Sequence, residues 1–279
     1  MSGVSELALL GAILPLLPGN DQVIVGPGDD CAVLKWNDAY DLLVTVDQLI
    51  EGVHYTPETP PEEAGAKLMK RNLSDIAAMG GEPLWAVVTL AADSDAGRLV
   101  PFMTGVAREA ARYGTAVCGG DISALPAQGV VTTLTLAGRV PHGGAILRSG
   151  ARPGDVLYVT GEIGNSFSSG HHLSFTPRLA EGRALGGKAH AMLDISDGLL
   201  LDARRLAQAS RVDLEINVPA VPLRAGAKLP DALSDGEDYE LFFCGPPGLP
   251  GTVIGRVLPG DGEVKTPGFT EIGKYGYEH

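Results

Sequence analysis

Residues Gly26–Leu34 read GPGDDCAVL: a Gly-Pro-Gly turn, two adjacent aspartates (Asp29 and Asp30), then a short apolar run. Aspartate is a common turn residue, and two carboxylates pointing into water would need no further explanation. Held where a turn enters a core, however, two unit charges about 4 Å apart repel by roughly 4 kcal/mol at an effective dielectric near 20. The purpose of the pair depends on what the neighbouring elements bring to it.

Outward from this stretch the pattern is that of alternating strands and helices. Cys31–Leu34 and Leu42–Val46 read as strands, the second ended by Asp47. Glu62–Met79 carries Ala64, Leu68, Ile76 and Met79 at helical spacing, with Pro60-Pro61 before it and Gly80-Gly81 to stop it. LWAVVTLA (Leu84–Ala91) is a buried-type strand, and Arg98–Tyr113 a helix with Phe102, Val106, Ala110 and Tyr113 along one face. TAVCGGD and GVVTTLTLAGRV supply two more strands, closing a ββαβαββ unit near Val140; Ser5–Leu17 predicts a short preceding helix. After the Gly/Pro-rich joint PHGGAILRSGARPGD a second α/β unit begins. It holds strands in DVLYVTG, HAMLD, VDLEINV, YELFF and TVIGRV, helical segments in Ser166–Leu185 broken at Pro177, and a helix over Leu199–Ala209. The expected division is residues 1–141 and 142–279.

The aspartates recur along this pattern. Asp47 ends one strand, Asp75 lies in the helix RNLSDIAAM, Asp121 follows AVCGG at the end of another strand, and Asp194 and Asp197 flank Ile195-Ser196 between a strand and a helix. Taken singly, each has an ordinary role as a turn residue, N-cap or solvated helix position. Together they collect at the strand ends where open α/β sheets place ligands. A cluster of carboxylates with no lysine or arginine nearby requires bound cations or raised pKa values. Oxygen-only ligands suit Mg²⁺, which commonly takes a carboxylate or two together with substrate phosphates. There is no GxxxxGK[ST] loop and no HRD or DFG set, so a phosphate site built this way is neither a P-loop nor a protein-kinase site.

Composition sets the outer limits. The chain has 279 residues with a formal charge of −13, which disfavours a nucleic-acid partner but permits a phosphorylated small molecule held through cations. Its 44% hydrophobic content, 38 glycines and 20 prolines predict a folded, turn-rich α/β protein. Apolar runs fall short of the roughly 20 residues that span a bilayer, and the N-terminus lacks a basic leader. Cys31, Cys118 and Cys244 are isolated, with no CxxC, which points to a reduced cytoplasm without zinc or disulfides.

The ordered set GPGDDCAVL, TVDQLIEGVHY, RNLSDIAAMGGEP, CGGDIS, LRSGARPGDVLYVTG, LDISDGL and SDGEDYELFF resembles the thiamine-monophosphate kinases. That family belongs to the ATP-binding superfamily of aminoimidazole ribonucleotide and selenophosphate synthetases. The resemblance implies two α/β domains in a synthetase-like fold, with N-terminal sheets of two subunits forming a barrel in a homodimer. It implies transfer of the ATP γ-phosphoryl group to thiamine monophosphate, with no nucleic acid or membrane involved. Asp30, Asp47, Asp75, Asp121, Asp194 and Asp197 would hold several Mg²⁺ ions with help from Thr45 and the Val46 backbone, and Asp47, Asp75 and Asp121 would be the catalytic carboxylates. Tyr113, Gly120, Asp121, Arg148 and Ser196 would contact ATP. His54, Glu237 and a C-terminal aromatic, Tyr275 or Tyr277, would contact the thiamine end. Another synthetase of the superfamily, acting through a phosphorylated amide, is the alternative. Two segments, ahead of the SDGL and GEDYEL motifs, are shorter than the family usually has; Asp235 stands where Gly is frequent and Val46 where Thr is common.

Overall fold

The helix containing RNLSDIAAM occupies the middle of the molecule. The structure is a computed structural model that describes residues 6–93, 96–269 and 276. Its first unit runs Glu6–Ile13 (α1), Val23–Val25 (β1), Ala32–Lys35 (β2), Tyr40–Ile50 (β3), Pro61–Ala78 (α2), Glu82–Ala92 (β4), Leu99–Arg112 (α3), Ala116–Ala124 (β5) and Val130–Pro141 (β6). The strands form a six-stranded sheet in the order β1-β2-β3-β6-β4-β5. Alternation along the strands gives the sheet two faces. Leu43, Thr45 and Leu49 on β3, Ala86, Val88 and Leu90 on β4, and Leu134 and Leu136 on β6 are buried beneath α2 and α3. Val44, Val46, Trp85, Val87 and Thr89 lie on the opposite, open face. The two helices cross in near-contact at Gly65 and Gly105. A Cβ at either would stand 1.9 Å from a main-chain oxygen, of Phe102 or Glu62 respectively.

The second unit runs Val156–Val159 (β7), His171–Ser174 (α4), Leu179–Leu185 (α5), Ala191–Asp194 (β8), Leu199–Ser210 (α6), Val212–Ile216 (β9), Leu229–Ser234 (α7), Leu241–Gly245 (β10), Thr252–Pro259 (β11) and Val264–Lys265 (β12). Its sheet has the order β12-β9-β11-β7-β10-β8. Leu157, Val159, Leu193, Phe242 and Cys244 turn to a core shared with α6, whereas Tyr158, Met192, Leu241 and Phe243 join the core around α2. Helix α2 is therefore covered by the first sheet, by α3, by α5 and by β8, and is buried almost throughout from Ala64 to Ala78.

Several expected boundaries move. β3 continues three residues past Asp47 and β5 three past Asp121, because each pairs with its neighbour along its whole length, β3 with β6 and β5 with β4. Asp47 and Asp121 are thus interior to strands; Asp194 does end its strand. The expected N-terminal helix is cut to Glu6–Ile13 and passes into a 3-10 turn containing Pro15. The short β1, β12 and α7 carry too few residues for a periodic signal.

Candidate active site

The acidic residues gather where α2 passes the ends of both sheets. Thr45 and Asp47 lie on the α2 side of β3, and the Thr45 hydroxyl donates to Asp75 Oδ2 at 2.5 Å. Ser74, the preceding residue of α2, donates to Asp194 Oδ2 at 2.5 Å. Asp30 enters from the GPGDD turn. One oxygen from each of Asp30, Asp75 and Asp194 lies within 4.8 Å of the others. Burial, then the charges of Asp47, Asp194 and Asp30, raises Asp75 well above the usual carboxylate range. Burial and Asp30 do the same to Asp194. Burial also raises Asp30, against the opposing charge of Arg148. Asp30 Oδ2 is buried with no hydrogen-bond partner among the described residues. An all-oxygen donor set, mutually repelling and with a buried oxygen left unpaired, fits a hard divalent cation such as Mg²⁺. The Val46 side chain is on the open face and exposed, so only its backbone is on offer to this site.

Asp29 has a different part. It accepts the main-chain N–H groups of Asp30 at 3.1 Å and Arg148 at 3.1 Å, tying the turn to the segment that joins the two units. Burial and the charge of Asp30 push it up to about 6.

The expectation of acids without basic neighbours is corrected by the structure, because arginines from the joint between the units, from α2 and from α6 line the rim. Arg148 donates to Asp30 Oδ1 at 2.6 Å, Arg71 to Asp47 Oδ1 at 3.2 Å, and Arg205 to Asp197 Oδ2 at 2.6 Å. Arg71 was invisible as a site residue, although it stands one turn before Asp75 on the same helix. Asp202 was also missed. It accepts the N–H groups of Ser196 and Asp197 at 3.1 and 3.0 Å and so shapes the ISDG turn. Burial and the charge of Asp197 bring Asp202 up to about 7.

Gly120 and Asp121 are not part of the acidic group. They lie on β5, an edge strand exposed along its length. Asp121 pairs with Thr89, an open-face position, and takes a hydrogen bond from Ser123 at 3.3 Å. A Cβ on Gly120 would meet the Val88 carbonyl oxygen at 1.8 Å, so glycine is what lets β5 approach β4 there. Tyr113 follows α3, its hydroxyl buried with no hydrogen-bond partner among the described residues.

His54 and Glu237 do come together, through a residue the sequence reading passed over. Lys67, buried on α2, donates to the His54 main-chain oxygen at 2.6 Å and to Glu237 Oε2, and meets His172 Nδ1 at 2.9 Å. The His54 ring accepts the Ile50 N–H at Nδ1, 2.9 Å away, which leaves its proton on Nε2. Burial alone would raise Glu237; the His172 imidazole and the charges of Lys67 and Arg71 prevail and hold it at about 2. Tyr275 and Tyr277 lie outside the described residues.

With this geometry in place, likeness to known proteins sets the class. Residues 28–140 match the family described as AIR synthase related protein, N-terminal domain. The thiamine-monophosphate kinase of Salmonella typhimurium is 35% identical over 254 residues, covering 81% of this chain and 77% of the relative. That of Mycobacterium tuberculosis H37Rv is 32% identical, covering 99% and 92%. A solved structure of AaThiL complexed with AMPPCP and TMP superposes with a TM-score of 0.88 at 33% identity, covering 99% of this chain and 97% of that one. A hydrogenase maturation protein HypE shares the fold at 17% identity and a TM-score of 0.67. The chain belongs to the thiamine-monophosphate kinase family. Among the described residues no helix is long and apolar enough to cross a membrane.

Proposed function

We propose that this enzyme transfers the γ-phosphoryl group of ATP directly to the phosphate of thiamine monophosphate, giving thiamine diphosphate and ADP. The observation that carries the reading is the convergence of Asp30, Asp75 and Asp194, buried or half-buried, in a chain whose family acts on this substrate. Two polyanions must meet in line for this transfer, so the site has to supply positioning and charge neutralisation rather than a covalent intermediate. Mg²⁺ ions held by Asp30, Asp75 and Asp194, with Asp47, Thr45, Asp197 and the Val46 carbonyl around them, would neutralise the phosphates. Arg148 orients Asp30 from the joint between the units, and Asp202 fixes the N–H groups of the ISDG turn, with Ser196 beside the nucleotide. His54 and Glu237 take the thiamine end, where a carboxylate suits a cationic thiazolium; Tyr275 is proposed to stack there.

The division into residues 1–141, for nucleotide and assembly, and 142–279 is part of the same proposal, as are a homodimer and a cytoplasmic setting. The dimer is supported by the open sheet face with Val46 and Trp85 and by the exposed edge β5 with Val117 and Ile122. Gly120–Asp121 are proposed to meet the nucleotide from that side, and Tyr113 from the end of α3. ATP labelled in its γ-phosphate tests the reaction: label is expected in thiamine diphosphate, one per ADP. Label released as inorganic phosphate in dependence on an amide or amine would assign a synthetase instead. A monomer by light scattering at micromolar concentration would remove the dimer.

A further inference from the structure

Lys67 is completely buried, in the middle of a helix that also buries Leu68, Met69, Leu73 and Ile76. Lysine is almost never found so deep unless it is paired. Its ammonium donates to the His54 carbonyl and to Glu237 Oε2 and meets His172 Nδ1, whose part in the contact is set by the imidazole tautomer. These come from the turn after β3, from α4 and from the loop before β10.

Glu237 is held by more than this one contact. Its backbone lies in the left-handed region (φ 67°), as does that of Tyr239 (φ 54°), a conformation costly for residues other than glycine. Between them Asp238 is fully buried and accepts from the Gly164 N–H at 2.9 Å, from Arg224 at 2.7 Å and from the Ser166 hydroxyl. The strained backbone presents the Glu237 side chain to Lys67 in one orientation. Both Lys67 and His172 meet Oε2, and Oε1 makes no hydrogen bond among the described residues.

A comparison within α2 separates positioning from simple domain stapling. Lys70, one turn further on, also reaches the second unit, but its acceptors are main-chain oxygens, Leu173 at 2.6 Å and Phe175 at 3.1 Å. Lys70 fastens a loop. Lys67 fastens a loop and also selects which oxygen of Glu237 remains available.

We infer that Lys67 is a positioning residue for the acceptor substrate: by engaging Glu237 Oε2 and the His54 carbonyl together, it aims Glu237 Oε1 and the His54 ring at the thiamine end. The inference rests on the kinase reading above. Steady-state kinetics with thiamine monophosphate and ATP varied separately, alongside melting temperatures, test it. Lys67→Met is expected to raise the KM for thiamine monophosphate about 10–100-fold while the KM for ATP stays within about 2-fold. Lys70→Met is expected to lower the melting temperature without that split. Lys67→Arg, which keeps the charge but not the compact three-partner fit, should recover part of the KM and carries the test if the methionine variant does not fold. In a Glu237→Gln background, Lys67→Arg should change the KM no further, because the two residues act as one unit. An active wild type whose Lys67 variants move both KM values alike, or whose Lys67 and Glu237 effects simply add, overturns the inference alone. A wild type that forms no thiamine diphosphate overturns the kinase reading and the inference with it.

Discussion

Helix α2 carries two charge clusters roughly two turns apart, each buried or half-buried, and they are built on opposite plans. At Asp75 the helix meets Asp30 and Asp194, three carboxylates of one sign with an oxygen left unpaired and pKa values driven upward. At Lys67 it meets Glu237 and His172, an ammonium and a carboxylate that satisfy one another and hold the carboxylate at about 2. The first cluster is electrostatically incomplete and calls for a cationic ligand. The second is complete in itself, and its work is to hold a side chain still. The contrast matches the two substrates: one end must offset phosphate charge that arrives and leaves, and the other must recognise a fixed shape.

The sharpest way to break this contrast is Asp75→Asn. It keeps the side-chain volume and removes one repelling charge, so activity and stability should move in opposite directions. Turnover is expected to fall by at least about 100-fold, more than loss of a second-sphere partner typically costs. In metal-free buffer the melting temperature should rise, since a buried, uncompensated carboxylate has been neutralised. Asp47→Asn should also lose turnover, but without the gain in stability, because it strips Arg71 of its ion-pair partner. A stabilised Asp47→Asn variant, or an Asp75→Asn variant with ordinary turnover at low Mg²⁺, would show that the two carboxylates have been given the wrong parts.

Metal removal and pH give the next effect. Asp30, Asp75 and Asp194 are all raised, as are Asp29 at about 6 and Asp202 at about 7. A carboxyl whose folded pKa lies above its unfolded value holds its proton more tightly when folded. Its contribution to stability is complete below the unfolded pKa and is lost as pH rises through the folded one. The metal-free protein should therefore melt at a lower temperature at pH of about 8 than at about 6. Mg²⁺ should flatten this slope, because a bound cation restores at high pH the neutrality that protons provide at low pH. Scanning calorimetry across that range, with Mg²⁺ and with chelator, reads both. A slope indifferent to Mg²⁺ would mean that the cluster does not hold the ion.

How much of this the sequence disclosed follows the same division. The acidic end was readable because aspartates recur in the turn GPGDD, in the helix RNLSDIAAM and at the end of HAMLD. The family resemblance then gave Asp30, Asp75 and Asp194 a metal-holding part. The reading that Asp47 and Asp121 end their strands did not survive, since cross-strand pairing extends β3 and β5 beyond them. The basic end was not readable. In KLMKR, Lys67, Lys70 and Arg71 look like the solvated side of an amphipathic helix. They are drawn inward only because a second sheet, with α4 and α5, covers the side of α2 that the first sheet leaves open. Single-helix periodicity carries no information about a second covering layer. Arg148 was named, as a contact of ATP, but its pairing with Asp30 spans two units and left no local signal; Arg71 and Arg205, which pair with Asp47 and Asp197, were missed.

The smallest expected effect concerns His54, and it asks which part of that residue serves the substrate. Its carbonyl is held by Lys67, its N–H donates to the Ile50 carbonyl at 2.9 Å and its Nδ1 caps the Ile50 N–H, so the ring supplies one of several fastenings of the turn after β3. His54→Ala removes the ring and the Nδ1 acceptor but leaves the carbonyl contact, so the turn should survive with the Ile50 N–H unsatisfied. The KM for thiamine monophosphate is expected to rise about 3–10-fold, and that for ATP to stay nearly constant, which is the size of one ordinary hydrogen bond lost. His54→Asn refines the reading, because an asparagine Oδ1 can take the place of Nδ1 and cap Ile50 while offering nothing at Nε2. If the ring's proton-bearing Nε2 is what meets the thiamine end, asparagine will repair the melting temperature and leave the KM raised. If asparagine repairs both, His54 serves by shaping its turn, and the recognition of thiamine passes wholly to the carboxylate that Lys67 holds in place.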